Sequence, residues 1–459
     1  MKTKILTLAA VLILSANLYS QSITNTLGSN GTFIVKYSAD TLLKLKQSNG
    51  LLEITRNFMM PVTTDSLTGV IYKGSSRFLH SYAPQLVKGN NLFLGKNSGN
   101  FSMSNYEVMY SSNNTGIGDS TLSSLTDGYG NTAVGYHSLA KTTTGHLNTA
   151  LGLNSLSMNT TGYENVAIGS YSLNSNISGG SNIAIGSLSL DHNTTGHSNT
   201  AIGLKVLDEN ISGSDNIGIG TFAMNNNSTG SGNLGFGYNS LYALSLGNYN
   251  IAIGYSSGAN LNYGSNNIFI GKNAQPTSVG VSNQITLGNN EITSLRCNVQ
   301  SITSLSDMRD KKNISELSLG LDFISKLKPR QFSWDKREWY EKNISDGSKT
   351  EDKLNAGFIA QELDEVQIME NAGWLGLVNK DNPDKIEATY GNLLPVMVKA
   401  IQELNAKNEN LERENDILKS RLDAFSEISK TISELQQNQI TLEKKLHALL
   451  SNEVKSIKY

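Results

Sequence analysis

Cysteine is almost missing from this chain of 459 residues: the single Cys297 excludes any intrachain disulfide and reads as a small buried residue. Basic excess is missing too. A net charge of −2 removes the electrostatic ground for binding nucleic acid or an anionic membrane surface. Long apolar runs are confined to Ile5–Ile13, which falls short of the roughly 18 residues a membrane-spanning helix needs. Charge of either sign is scarce in the middle of the chain, where the few acids are not paired in register. That excludes a glycan-cleaving enzyme, which needs two carboxylates facing one cleft. Asp119, Asp191, Asp208 and Asp215 are not read as the regular acidic column of a calcium-binding β-roll, and no metal or cofactor is expected. His137, His146, His192 and His197 lack metal-ligand spacing and read as solvent-facing turn residues.

What fills the uncharged middle is a repeat of period seventeen. Glycine recurs at Gly118, Gly135, Gly152, Gly169, Gly186, Gly203, Gly220, Gly237, Gly254, Gly271 and Gly288 without a slip. One unit reads Asn165-Val166-Ala167-Ile168-Gly169-Ser170-Tyr171-Ser172-Leu173, a short β-prone piece between polar turns. A unit with two or three apolar residues cannot bury a core alone, so the copies must stack. The spacing therefore predicts a parallel β-solenoid over residues 91–290. Asn131, Asn148, Asn165, Asn182, Asn199, Asn216, Asn233 and Asn250 should form an amide ladder along its axis. Gly145, Gly162, Gly179, Gly196 and Gly213 are expected to supply positive φ in the turns. Leu122, Leu139, Leu156, Leu173, Leu190, Leu207 and Leu241, with Met224 in the gap, should line a core or a seam between chains. The Asn-x-Ala-x-Gly element resembles the head repeats of trimeric autotransporter adhesins of the YadA type. That resemblance implies a trimeric β-roll, although the period here is longer.

The two ends differ from the middle. Met1-Lys2-Thr3-Lys4, the apolar Ile5–Ile13 and the small or polar residues up to Ser20 have the three regions of a secretory signal peptide, with cleavage expected after Ser20. The mature chain would be secreted or displayed at the cell surface, with no transmembrane helix. Residues 21–90 hold short strand-like pieces and would attach the array or cap its first turn, and 291–305 would form a neck. From Met397 the apolar residues follow a 3-4 spacing through Ile401, Leu404, Leu411, Leu418, Leu422 and Phe425, then resume at Ile428, Ile432, Leu435, Leu442, Leu446 and Leu449. A coiled coil over 398–450 follows, with Asn408 and Asn415 at a positions and a three-residue stammer after Phe425.

Between array and coil lies the hexapeptide Ser306-Asp307-Met308-Arg309-Asp310-Lys311. A serine hydroxyl is a weak nucleophile until a neighbouring base takes its proton, and a lysine amine can serve. Further on come Gly357-Phe358-Ile359-Ala360-Gln361-Glu362, Tyr390-Gly391-Asn392-Leu393-Leu394-Pro395 and Lys399-Ala400-Ile401-Gln402-Glu403-Leu404. In this order the segments resemble the C-terminal intramolecular chaperone domain of endosialidases and phage tail spikes, over residues 304–410. Thr389 and Gln367-Ile368-Met369 depart from that pattern. The resemblance implies an α+β domain over 306–397 that trimerises, guides folding of the fibre before it, and cuts the chain at Leu305-Ser306. Ser306 would be the nucleophile and Lys311 the general base. Asp307 and Arg309 match the family motif and read otherwise as a local ion pair or turn. Gln361 and Glu362 would orient the site, contact a neighbouring chain or serve structure alone. Trp334 and Trp339 are expected in the domain core.

The expected protein is thus a homotrimeric fibre, tail-fibre- or adhesin-like, with single-turnover autoproteolysis and no activity on external substrates. A cell-surface or glycan receptor would suit such a fibre, and nucleic acid would not. The alternative is a fibre that never cleaves and keeps its C-terminal domain as a permanent clasp.

Overall fold

The computed structural model describes residues 32–37, 40–46, 51–54, 60, 63–66, 68–84, 89–103, 111–298 and 306–456. The expected signal peptide, residues 299–305 of the expected neck, and Leu305 of the expected cleavage bond lie outside them. The chain divides into two compact units between Ile292 and Thr293.

In the first unit, β1 (Thr32–Tyr37), β2 (Asp40–Lys46) and β3 (Leu51–Ile54) form an antiparallel meander. The hairpin of β4 (Ile71–Lys73) and β5 (Ser76–His80) pairs antiparallel with β6 (Leu92–Leu94) and so occupies one end of the large sheet. From β6 onward every pairing is parallel, through β7 (Thr115–Ile117) to β17 (Ile285–Leu287). Leu92 pairs with Thr115, a step of 23 residues, and each later strand is offset from the one before by one 17-residue repeat. The chain is a β-solenoid of about ten turns, as a repeat unable to bury its own core requires.

Each rung contributes a strand of only three residues. Its middle residue, Ala133, Ala150, Ala167, Ala184, Ala201 or Ala252, is fully buried, because successive side chains in a strand point to opposite faces. Phe93 and Phe269 occupy the same position near the two ends of the stack, also fully buried. Where Val206 and Met224 enlarge the interior, the middle residue shrinks: a Cβ on Gly218 would lie 2.5 Å from Val206 Cγ1. The leucine column from Leu122 to Leu241, with Met224, is interior. These leucines adopt the left-handed backbone conformation, Leu173 at φ 50°. That conformation costs about 1–2 kcal/mol for an L-residue, and burying a leucine side chain contributes about 1.5–3 kcal/mol, which offsets it.

Of the two glycine columns, the one expected to supply positive φ does not, and the other does. Positive φ belongs to the Gly118–Gly271 column, at 118–145°. Here a Cβ on Gly169 would also lie 2.5 Å from the carbonyl oxygen of Gly186 in the next coil. The second column, Gly145 to Gly213, is absent from the positive-φ positions, which corrects the expectation. Its glycines are needed for close approach: a Cβ on Gly145 would meet Gly162 O at 2.7 Å.

The asparagine ladder runs from Asn91 to Asn267. At each rung the side-chain oxygen accepts from the next asparagine's backbone N–H and amide, as Asn182 Oδ1 does from Asn199 N at 3.0 Å and Nδ2 at 3.1 Å. From Asn114 to Asn250 the second amide hydrogen goes to a glycine carbonyl, Asn182 Nδ2 to Gly196 O at 2.9 Å. A second, parallel ladder was not foreseen. Asn159, Asn176, Asn193, Asn210 and Asn227 are fully buried and linked amide to amide at 2.8–2.9 Å. Its last oxygen, Asn227 Oδ1, has no hydrogen-bond partner among the described residues, because Leu244 takes the next position.

The second unit holds two small antiparallel pairs, β18 (Arg330–Phe332) with β19 (Asn355–Gly357) and β20 (Val378–Asn379) with β21 (Glu387–Ala388). Three helices accompany them: α1 (Leu321–Lys326), α2 (Ala360–Met369) and α3 (Leu394–Ser456), the last running 63 residues without a break. The core gathers Leu319, Phe323, Leu363, Val366, Leu377, Leu393 and Val396. Trp334 and Trp339 are not in it. Trp334 is 46% exposed, packs edge-on against Phe332, and shares the Lys336 ammonium with Trp339. An indole that can hold a cation on its face gains without full burial. Cys297 is exposed rather than buried, since its segment has no regular structure to cover it.

Candidate functional site

Residues 306–311 wrap a single turn. Asp307 caps a 3₁₀ turn over Met308–Asp310, its Oδ1 accepting the Arg309 backbone N–H at 2.9 Å. The turn closes when Lys311 N–H donates to Met308 O at 3.2 Å. The side chains at the two ends of the turn therefore emerge together, and Lys311 Nζ donates to Ser306 Oγ at 2.5 Å. Five residues apart in sequence, hydroxyl and amine are adjacent in space.

Asp307 and Arg309 form the local ion pair. The guanidinium binds the carboxylate through Nε at 3.0 Å to Oδ1 and Nη2 at 2.6 Å to Oδ2. Those hydrogen bonds hold the Asp307 carboxyl below the usual carboxylate range and raise the Arg309 guanidinium. The pair fixes the turn and leaves Lys311 to the serine.

Glu362 and Gln361 do not reach this turn. Glu362 takes a bidentate pair from Arg330, Nε to Oε2 at 2.9 Å and Nη2 to Oε1 at 2.5 Å, tying α2 to β18. The Arg330 hydrogen bonds hold the Glu362 carboxyl below its ordinary range. Gln361 is exposed on the first turn of α2.

The other motif residues are framework. Tyr390 Oη bonds both the backbone N–H and carbonyl of Phe358 at 3.1 Å, and a Cβ on Gly357 would lie 2.9 Å from that oxygen. Asn392 Nδ2 donates to Leu375 O at 2.8 Å. Glu403, on α3, accepts the Leu321 N–H at 2.7 Å, so a carboxylate 82 residues away caps the start of α1. Gly320 precedes that cap because a Cβ there would lie 2.5 Å from Glu403 Oε1. Arg330 falls in none of the sequence motifs. The tyrosine, the asparagine and Glu403 all lay within the quoted motifs.

Residues 306–374 match the family described as Chaperone of endosialidase. The match begins at Ser306 itself and covers the 3₁₀ turn, α1, the β18–β19 pair and α2. Neither curated proteins nor solved structures give a match to this chain.

Chemically, the turn presents a hydroxyl and an amine in hydrogen-bond contact, with both side chains solvated: every residue from 306 to 316 is exposed. A general base must be neutral, and burial is what disfavours the charged form of a lysine. In an isolated chain the two groups are in contact and left in water.

Proposed function

We propose that the protein is an exported, homotrimeric fibre, tail-fibre-like in plan, whose C-terminal domain assembles three chains and then severs itself from the fibre at Leu305-Ser306. The observation that carries the reading is the Lys311–Ser306 contact at 2.5 Å, formed at the first residue of the chaperone family match. In the proposed step Ser306 Oγ attacks the Leu305 carbonyl carbon while Lys311 Nζ takes the hydroxyl proton. The C–N bond breaks, the Ser306 nitrogen receives that proton and leaves as an amine, and an ester to Oγ remains. Water then hydrolyses the ester, giving a Leu305 carboxylate and restoring the serine hydroxyl. Whether Ser306 attacks its own carbonyl or a neighbour's, trimer formation would supply the burial that a neutral lysine needs.

Two surfaces support three-fold assembly. The third residue of each parallel rung, from Ile117 and Val134 through Leu151, Ile185, Ile219, Phe236 and Ile253 to Leu287, is apolar at every turn and faces outward. A stripe of that length suits another copy with the same repeat. The apolar 3-4 stripe of α3, from Ile401 through Leu411, Leu418 and Phe425 to Leu449, is likewise exposed and would be buried in a trimeric coiled coil. A helical clasp formed first would raise the effective concentration of the three solenoids, whose non-local pairing is slow. Cleavage would then leave a fibre without the module that let it fold, a kinetic form of stability. Export rests on the N-terminal signal, and among the described residues no helix is long and apolar enough to cross a membrane.

Denaturing electrophoresis with intact-mass measurement tests the reading, on wild type beside Ser306→Ala and Lys311→Ala. A wild-type fragment starting at Ser306, missing from both variants, is expected. A full-length wild-type chain that is trimeric in solution would remove the cleavage step and leave the permanent clasp, the reading that the solvated dyad of a lone chain favours.

A further inference from the structure

Asp191 and Asp208 stand one repeat apart, so the solenoid places them in adjacent coils of one column. That corrects the expectation that the acids do not align. His192 lies beside them, and one ligand atom from each of the three residues falls within 4.8 Å of the others. Asp208 is 4% exposed, and its Oδ1 has no hydrogen-bond partner among the described residues. Asp191 Oδ1 is likewise buried and unpartnered. His192 Nδ1 is 3.8 Å from Asp208 Oδ1, too far for a hydrogen bond, and 3.1 Å from the Asp208 carbonyl oxygen. Lys205 Nζ sits 3.3 Å from the other Asp208 oxygen, and Asn174 bonds the Asp191 carboxylate. One lysine therefore stands against two carboxylates, each with a buried oxygen left over. Leaving a charged acceptor unpaired in a buried place is costly, and a cation is its natural partner.

We propose that Asp191, His192 and Asp208 bind a divalent first-row transition-metal ion, which clips two adjacent coils of the solenoid together. One imidazole and two carboxylates are a ligand set for Zn²⁺, with water completing the coordination. Bonds of about 2.0–2.2 Å put tetrahedral ligand atoms about 3.4 Å apart, so separations of up to 4.8 Å must shorten by up to about 1.4 Å, a shift shared among the three side chains. His192 Nδ1 would give up its proton to solvent on binding, as metal ligands do. Lys205 opposes the ion by charge and competes for Asp208.

Zn²⁺ is the probe, titrated by calorimetry into the untagged full-length protein after EDTA treatment, with thermal unfolding followed in parallel. Wild type should bind one ion per chain and gain thermal stability that EDTA reverses. Asp208→Asn and His192→Ala should each weaken binding by about a hundredfold, at least what outer-sphere changes cost at metal sites. Lys205→Met should tighten it, an effect that a purely structural ion pair would not produce. His197→Ala, an exposed turn histidine in the next coil, should change nothing. No saturable binding to wild type overturns the proposal, and so does binding that survives His192→Ala unchanged. His192 is exposed and the Lys205 side chain is partly exposed, so their variants keep the test valid if Asp208→Asn fails to fold.

Discussion

Asn182→Ala probes the force that holds the coils together. Asn182 Oδ1 is the acceptor for the backbone N–H of Asn199, and among the described residues no other bond serves that N–H. The substitution strands it inside a fully buried stack. It also removes one of the two bonds of Asn199 Nδ2, whose other bond, to Gly213 O, remains. Gly196 O loses Asn182 Nδ2 and keeps Asn193 Nδ2 at 3.0 Å, so it is not orphaned. One orphaned backbone donor costs about 1–3 kcal/mol, and the lost amide bond with the small cavity adds about 2 kcal/mol, for a total of about 3–5 kcal/mol. Asn176→Ala in the second ladder strands only Asn159 Oδ1, because Asn193 N–H bonds Leu190 O instead, and should cost about 2 kcal/mol. Because each coil touches only its neighbours, the damage should be local. Hydrogen exchange read by mass spectrometry should show the amides around Asn199 losing protection by about a hundredfold or more, at 1.4 kcal/mol per factor of ten. Those around Asn131 should be unchanged. If Asn182→Ala exchanges like the exposed-site control Ser178→Ala, the ladder is not what binds the coils.

Gly169→Ala should abolish stacking at its coil, since φ of 137° and a Cβ 2.5 Å from Gly186 O allow no relaxation short of separating the coils; circular dichroism and soluble yield equal to wild type would refute it. His80, buried near the first rungs, donates from Nε2 to Ser98 O at 2.8 Å and accepts the Tyr82 N–H at Nδ1, and burial followed by the nearby Arg77 charge pushes its pKa down to about 4. The unfolded chain then binds the extra proton first, so the stability due to neutral His80 is intact above pH ~6.5 and drains as pH falls towards 4. The loss is about 2 kcal/mol by pH 5 and about 3 kcal/mol in all. His80→Gln should flatten the difference in unfolding free energy between pH 7.5 and 5 by about that 2 kcal/mol, and an unchanged slope would refute the assignment.

The solenoid was legible because its constraint is periodic. A glycine whose Cβ would strike the next coil must recur at every coil, and so must an asparagine whose side-chain oxygen accepts its neighbour's backbone N–H. Seventeen could be counted from either column. Conformation within the coil was not countable. Glycine serves both for positive φ and for close approach, and Gly145 and Gly169 look alike in the sequence while only Gly169 takes the left-handed region. The leucines at positive φ were invisible for the opposite reason, since Leu173 looks like any core residue until its backbone is built. The second asparagine ladder spans only five coils between Thr142 and Leu244, so its period was diluted among the many other asparagines of the turns.

The turn from Ser306 to Lys311 was legible as a spacing, and its geometry was not. Ser306 and Lys311 meet because Asp307 caps the turn and Arg309 neutralises the cap, so the ion pair between them brings hydroxyl and amine together. Gln361 and Glu362 looked like candidates for the same site because they share the family pattern. Glu362 is instead consumed by Arg330, a residue 32 positions away that no motif marked. The Asp191–His192–Asp208 group escaped notice because one repeat separates its acids and the histidine is an immediate neighbour of only one of them. Such a cluster exists only once the coils are stacked, so a chain that reads as uncharged and inert along its length can still gather two carboxylates and an imidazole at one point.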